Sequence, residues 1–206
     1  MATTSIPEGK TFFDQLKRSF VDVPMDKEHD NAISTDEFLE AAESLTTLFD
    51  VLGSVAFKPV KNDMIGNIKK IRDRQLASPA DSSTLQGLVR SELATKKHTA
   101  TEGLVWLVRA LDFTAQSLRR NITTSSEELA DSFRGAYTNT LKPHHSFMVK
   151  PIFSAAMSAT PYRKDFYGKL GSDGANVERE LKIWLGACEE RVQVLQEFLG
   201  RKEAKW

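Results

Sequence analysis

Read at ~100° per residue, the segment from Glu102 to Arg120 carries apolar side chains on two opposed stripes of one helix. Leu104, Val108, Leu111, Ala115 and Leu118 make one stripe, and Trp106, Ala110 and Phe113 make another roughly opposite. A helix apolar on one side can lie on a surface; one apolar on two sides has to be covered on both. The rest of the chain offers only helices for that task. Nearly every periodic segment has the helical period, and no alternating strand with a hairpin turn stands out. The expected fold is all-α: a single domain over residues 1–206 with about seven or eight helices and no repeat, linker or compositional break.

The boundaries follow from caps and breakers. Thr11 to Val21 reads as a short first helix with Phe12, Phe13, Leu16 and Phe20 as its apolar positions, and Pro24 to Ile33 as a polar connection. Ser34-Thr35-Asp36-Glu37 opens a helix that Gly53 should stop. Pro59 should open the next one. Ser78 to Ser83 is a loop and Leu85 to Lys97 a helix. After the two-striped helix, Glu127 to Leu141 is helical, and Pro143, His144 and His145 redirect it. Ser146 to Ala159 follows with a kink expected at Pro151, then Tyr162 to Leu170, a Gly171–Gly174 loop, and a long helix from Val177 to Arg201.

Within the segment Val60 to Ile71, the residues Val60, Met64, Ile68 and Ile71 form an apolar stripe roughly 80° wide. Asp63, Asn67 and Lys70 lie beside it, within roughly 60° of one another. An acceptor, an amide and a cation are thus aligned at the edge of a core-facing surface, where they could hold a polar head while an apolar body enters the protein. The plainer reading is a solvated helix edge with a weak Asp63–Asn67 or Asn67–Lys70 contact. Trp106 reads either as a core residue between helix layers or as a flat platform for a sugar ring. His145 reads either as a helix-end histidine or as a donor at a pocket mouth.

Other chemistries find no footing. Acidic and basic residues balance at 28 each, so no overall field favours nucleic acid. His144 and His145 are adjacent and point ~100° apart on a helix, a poor start for a metal site. Cys188, the single cysteine, falls on the core stripe Leu181, Leu185, Cys188, Val192, Leu195 and reads as inert filler. It cannot form an internal disulfide, so a reducing compartment is expected. No nucleophile elbow or phosphate-cradling glycine loop is present. Met1 to Lys10 has no apolar stretch of a signal peptide, and no apolar run approaches ~18 residues. No enzyme, cofactor or metal is expected. The aromatic residues are twelve Phe against three Tyr and three Trp, suiting an ordinary core or a compartment for a greasy ligand equally well.

Four blocks together resemble the glycolipid transfer protein family: Phe49-Asp50-Val51-Leu52-Gly53-Ser54 with Phe57; Pro59 through Ile71; Trp106-Leu107-Val108-Arg109-Ala110-Leu111; and Ala136-Tyr137 through Leu141-Lys142-Pro143-His144-His145, continuing to Ile152-Phe153 and Thr160-Pro161-Tyr162. They come in the family's order over a motif-bearing core of about residues 35–200. The resemblance implies a two-layer helical sandwich that takes lipid chains between its layers and moves a glycosphingolipid between membranes without chemistry. By motif position, Asp63, Asn67 and Lys70 would hydrogen-bond the first sugar and Trp106 would stack under it. His145, with Asp63, would meet the ceramide amide. Phe49, Phe57, Leu141, Val149, Phe153 and Phe166 would line the hydrophobic compartment. Phe147, where animal members typically carry Trp, and Tyr137 would touch the membrane. The implied partners are a galactosyl-, glucosyl- or lactosylceramide-like lipid and a transient membrane surface, with a monomeric, cytoplasmic, reversibly peripheral carrier. A ceramide-1-phosphate-type carrier and a helical interaction module that binds no lipid are the alternatives.

Overall fold

A computed structural model describes residues 6–206, Ser54 in backbone only; of the stretch Met1 to Lys10 read above, residues 1–5 lie outside it. Among the described residues there are eight α-helices: α1 (Thr35–Thr46), α2 (Leu48–Ala77), α3 (Leu85–Ala94), α4 (Thr99–Thr123), α5 (Leu129–Asn139), α6 (Lys150–Ser158), α7 (Arg163–Leu170) and α8 (Gly174–Gly200). The two-striped segment is α4, and it packs against α2, α3, α5 and α8. Leu104, Val108, Leu111, Ala115 and Leu118 are buried on one side, and Ala110 and Phe113 on the other. The all-α sandwich expected from the sequence is the observed architecture, with one continuous core.

Helix starts are fixed by side chains that take up free backbone N–H groups. Thr84 Oγ1 accepts from Gly87 N at 3.1 Å to start α3. Asp173 Oδ1 accepts from Ala175 and Asn176 and starts α8 one turn earlier than its apolar stripe suggested. The buried Glu92 carboxylate accepts from Ala100 N at 2.9 Å, Thr101 N at 2.7 Å and Thr101 Oγ1 at 2.8 Å. It therefore pins the N-terminus of α4, where the helix dipole also favours a negative charge.

The structure corrects several boundaries. Thr11 to Val21 is not one helix but two 3-10 turns, Phe12–Gln15 and Phe20–Asp22. Asp14 caps Thr11 at 2.7 Å, and the Phe13 and Phe20 rings are drawn to Trp184 at 5.8 and 5.6 Å, so tertiary packing overrides the helical period there. The Pro24 to Ile33 connection contains a small antiparallel ribbon, β1 (Met25–Asp26) with β2 (Ala32–Ile33), closed by Asp30 and Asn31 at positive φ, a conformation these two residue types tolerate. Gly53 does end a helical run, as expected: at φ 122° and ψ 98° it leaves the helical region, and two helical pieces meet across a kink within α2. Pro59 lies inside the resumed helix and does not open it; its missing N–H falls opposite the Val55 carbonyl, soon after the bend. Pro151 opens α6 in the first turn, where proline is tolerated, and makes no kink.

Because three hydrogen bonds converge on one buried carboxylate, Glu92→Ala is expected to lose about 2 kcal/mol or more of stability. Urea unfolding with an unchanged slope checks this. A loss under about 0.5 kcal/mol would show that α4 is not anchored there.

Candidate functional site

On α2, Asn67 Nδ2 donates to Asp63 Oδ2 at 3.2 Å, and Lys70 Nζ donates to Asn67 Oδ1 at 3.4 Å. The contacts foreseen in the plainer reading both exist, and Asp63 is exposed as that reading has it, but the middle of the row is not at a solvent edge. Asn67 is only 4% exposed, and Val60, Met64, Ile68 and Ile71 are buried alongside. The α2–α4 seam explains the burial. A Cβ placed on Gly103 would come within 3.2 Å of the Asn67 carbonyl and of Lys70 Cβ, and 3.3 Å of Lys70 Cδ. Glycine at this position lets α4 come down directly onto the polar row. Sequence reasoning passed over Gly103, although an isolated glycine in a strong helix is a signal for close approach.

Trp106 lies one turn along α4 from Gly103 and is half-buried. Its indole is nearly parallel to the His145 ring, 19° apart in plane with centroids at 5.9 Å, and edge-on to His144 at 6.5 Å. The Arg109 guanidinium lies over the indole at 4.9 Å. Among the described residues no carboxylate forms an ion pair with Arg109. It lines a cleft of about 310 Å³ with Asp112, Asn139, His144, Gln196 and Lys205. Sequence reasoning gave Arg109 no role.

Partial desolvation holds the Asp63 carboxyl above the ordinary aspartate value, with Lys70 pulling the other way, although the residue as a whole is exposed. Burial lowers His145, aided by positive charge on Lys150, Arg109 and, when protonated, His144, all of which favour the neutral imidazole. Burial likewise raises the Tyr137 phenol.

From His145 a row of rings runs inward. His145 meets Phe153 at 4.5 Å, Phe153 meets Phe113 at 6.1 Å, Phe113 meets Phe133 at 5.6 Å, Phe133 meets Phe57 at 6.1 Å, and Phe57 stacks on Phe49 at 5.8 Å. Three of the six candidate lining residues, Phe49, Phe57 and Phe153, thus stand in one row that starts at the polar end. Leu141 is buried and Val149 packs against the same core. Phe166 is buried on α7, and its ring neighbour is Tyr167, apart from the row.

Of the two residues expected at the membrane, Phe147 is 82% exposed in the loop before α6. Tyr137 is corrected. At 5% exposure it offers no surface, because its ring stacks on Phe153 at 5.3 Å and its hydroxyl lies 3.1 Å from His145 Nδ1. Cys188 is fully buried, and burial pushes its thiol up, away from nucleophilic use. Among the described residues no three metal-ligating side chains are grouped to hold an ion.

The family model for "Glycolipid transfer protein (GLTP)" matches residues 33–172. A protein of Aureobasidium melanogenum named "Glycolipid transfer protein" is 71% identical over 202 residues, covering 98% of this chain and 99% of that protein. The crystal structure of HET-C2, described as a fungal glycolipid transfer protein, superposes with a TM-score of 0.94 at 65% identity, over 95% of this chain and 100% of that one. The FAPP2 structure, described as selecting simple glycosphingolipids with the same fold, superposes with a TM-score of 0.85 at 29% identity, over 95% and 98% of the two chains.

Two outcomes are expected. Gly103→Ala should fold, since alanine favours a helix by about 1 kcal/mol, but should crowd the Lys70 stem and change ligand handling more than stability; unchanged ligand uptake by a folded variant would count against the close approach. Asp63, with a folded pKa above its unfolded value, contributes stability at acid pH that is lost as pH rises through the folded value. Asp63→Val should therefore gain on the parent in melting experiments as pH goes from about 4 to 7. A gap that widens against the variant over that range would contradict a desolvated carboxylate.

Proposed function

This chain belongs to the glycolipid transfer protein family, and we propose that it lifts a glycosphingolipid from one membrane and delivers it to another, holding the sugar at Asp63, Asn67, Lys70 and Trp106 and the ceramide amide at His145 and Asp63. The observation that carries this reading is the arrangement along α4: the polar row of α2 packs at Gly103, the half-buried Trp106 one turn further stacks on His145, and a row of phenyl rings leads inward from His145. Carboxylate and amide suit sugar hydroxyls, while the indole face suits the C–H face of a hexose. A sugar lying flat on Trp106 takes the place of the Arg109 guanidinium, a flexible neighbour.

No bond is made or broken, and no enzyme, cofactor or metal is required. A sphingolipid has roughly 30 methylenes at ~0.8 kcal/mol per buried CH₂, so passage through water alone is strongly disfavoured. The compartment of Phe49, Phe57, Leu141, Val149, Phe153 and Phe166 supplies the replacement surroundings. Among the described residues no helix is long and apolar enough to cross a membrane. Phe147, with Met148 and Ile152 also exposed, would supply the transient membrane contact of a cytoplasmic, monomeric, reversibly peripheral carrier. The lipids it would carry are galactosyl-, glucosyl- and lactosylceramide-like.

A second reading has one observation in its favour. Arg109, half-buried and without an acidic partner among the described residues, is a phosphate-compatible group beside Trp106, as a ceramide-1-phosphate carrier would need. Against it, Asp112 lines the same cleft as Arg109 and brings a negative charge there.

Transfer of fluorescent galactosylceramide between vesicles, with fluorescent ceramide-1-phosphate as the control, separates the two. The sugar lipid should move and stay chemically intact by thin-layer chromatography. Asp63→Val and Trp106→Ala, each folded by circular dichroism, should lose most of the transfer, because an unpaired buried polar group costs ~1–3 kcal/mol. Near wild-type rates in either variant would overturn the site assignment.

A further inference from the structure

The contact between Tyr137 and His145 has no place in the reading above, which gives His145 to the ceramide amide; an imidazole N–H can serve only that amide's carbonyl. A neutral imidazole can donate there from Nε2 only if the proton sits on Nε2 and not on Nδ1. Something must therefore set the tautomer. The structure places one candidate at the other nitrogen: the Tyr137 hydroxyl, 3.1 Å from Nδ1.

Three features favour the phenol as donor in this pair. A phenol O–H is far more acidic than a neutral imidazole N–H, and an imidazole nitrogen accepts more strongly than a phenol oxygen. Tyr137 is held rigidly, stacked on Phe153 at 5.3 Å and edge-on to Phe113 at 6.3 Å, and is only 5% exposed, so little water competes for its hydroxyl. The His145 ring is confined as well, by Phe153 at 4.5 Å and Trp106 at 5.9 Å, while its backbone N–H is bonded to the Leu141 carbonyl at 3.1 Å. The charged groups around His145 are Lys150, Arg109 and, when protonated, His144, all cations that keep the ring neutral.

We propose that Tyr137 is a positioning residue for ceramide recognition: its hydroxyl donates to His145 Nδ1 and so locks the imidazole as the Nε2–H tautomer, leaving that N–H to meet the amide carbonyl. This rests on the assignment of His145 to the ceramide amide. Tyr137 touches no lipid atom in this role; it acts through His145.

Tyr137→Phe tests the idea, since it keeps both ring contacts and removes only the hydroxyl. Histidine ¹⁵N chemical shifts of the lipid-free protein should show His145 as a single Nε2–H tautomer in wild type and a mixture in the variant. Galactosylceramide transfer by the variant should fall about fivefold, the scale of one lost hydrogen bond. His145→Gln carries a side-chain N–H₂ that donates without any tautomer. In that background Tyr137→Phe should cause no further loss. The proposal is overturned if the ¹⁵N pattern does not change, or if Tyr137→Phe costs the same fivefold beside His145→Gln, which would mark a merely structural tyrosine. If the tautomer shifts but transfer holds, the amide assignment of His145 falls, and the proposal with it.

Discussion

Everything in this fold is arranged around the need to cover α4 on both faces. One stripe of that helix is conventional core. The other leads from Phe113 and Ala110 out to Trp106, and there its cover is thinner: the indole is half-buried under two histidines and an arginine. The same element therefore belongs to the core at one end and to a recognition surface at the other. Its register matters more than that of any other helix. Glu92 fixes its start, and Gly103 sets how closely it approaches α2. A shift of α4 by one residue would rotate Trp106 by ~100° away from His145 and break the seam that buries Asn67.

A protein that closes around its own rings in water and yet admits lipid tails faces a balance of forces. Ring–ring contacts add about 0.5–1.5 kcal/mol each beyond the area they bury, and the row from His145 to Phe49 contains five of them. Parting them in water would expose apolar surface with no return. Parting them around acyl chains exchanges one apolar neighbour for another. The bend at Gly53 and the proline at 59 lie in α2, the helix that also carries Phe49, Phe57 and the polar row. The part before Gly53 is thus a separate piece of helix, and the segment from Val60 to Ile71 does not share its backbone ladder.

Much of the fold was legible because burial on helical faces leaves a period in the sequence. The all-helical class, about seven or eight helices and the sandwiching of α4 follow from spacing alone. What was misread lies where another force overrides the period. Phe12, Phe13 and Phe20 have helical spacing, but Trp184 and the Asp14 cap fix them as two short turns. Gly53 reads as a terminator and does end a helical piece, but spacing does not show that the next piece follows at once across a kink. In the site, the Asp63–Asn67–Lys70 row was visible as geometry on one helix. Gly103 and Arg109 were not, because their importance comes from what faces them across α4. Tyr137 was assigned outward on motif position and proves buried, since a tyrosine in an apolar helix looks the same whether its hydroxyl reaches solvent or a neighbouring imidazole.

Selectivity in such a protein cannot come from the compartment that supplies most of the affinity. Methylenes are interchangeable, and one more or fewer changes binding by only ~1 kcal/mol whatever the headgroup. Discrimination has to come from groups that lose something when the wrong head is offered. With the sugar site proposed above, Asp63 would take that role: it accepts from Asn67 and is otherwise open, so a sugar hydroxyl could donate to it. A head without a donor would leave it to water, and a phosphate would meet it as a like charge.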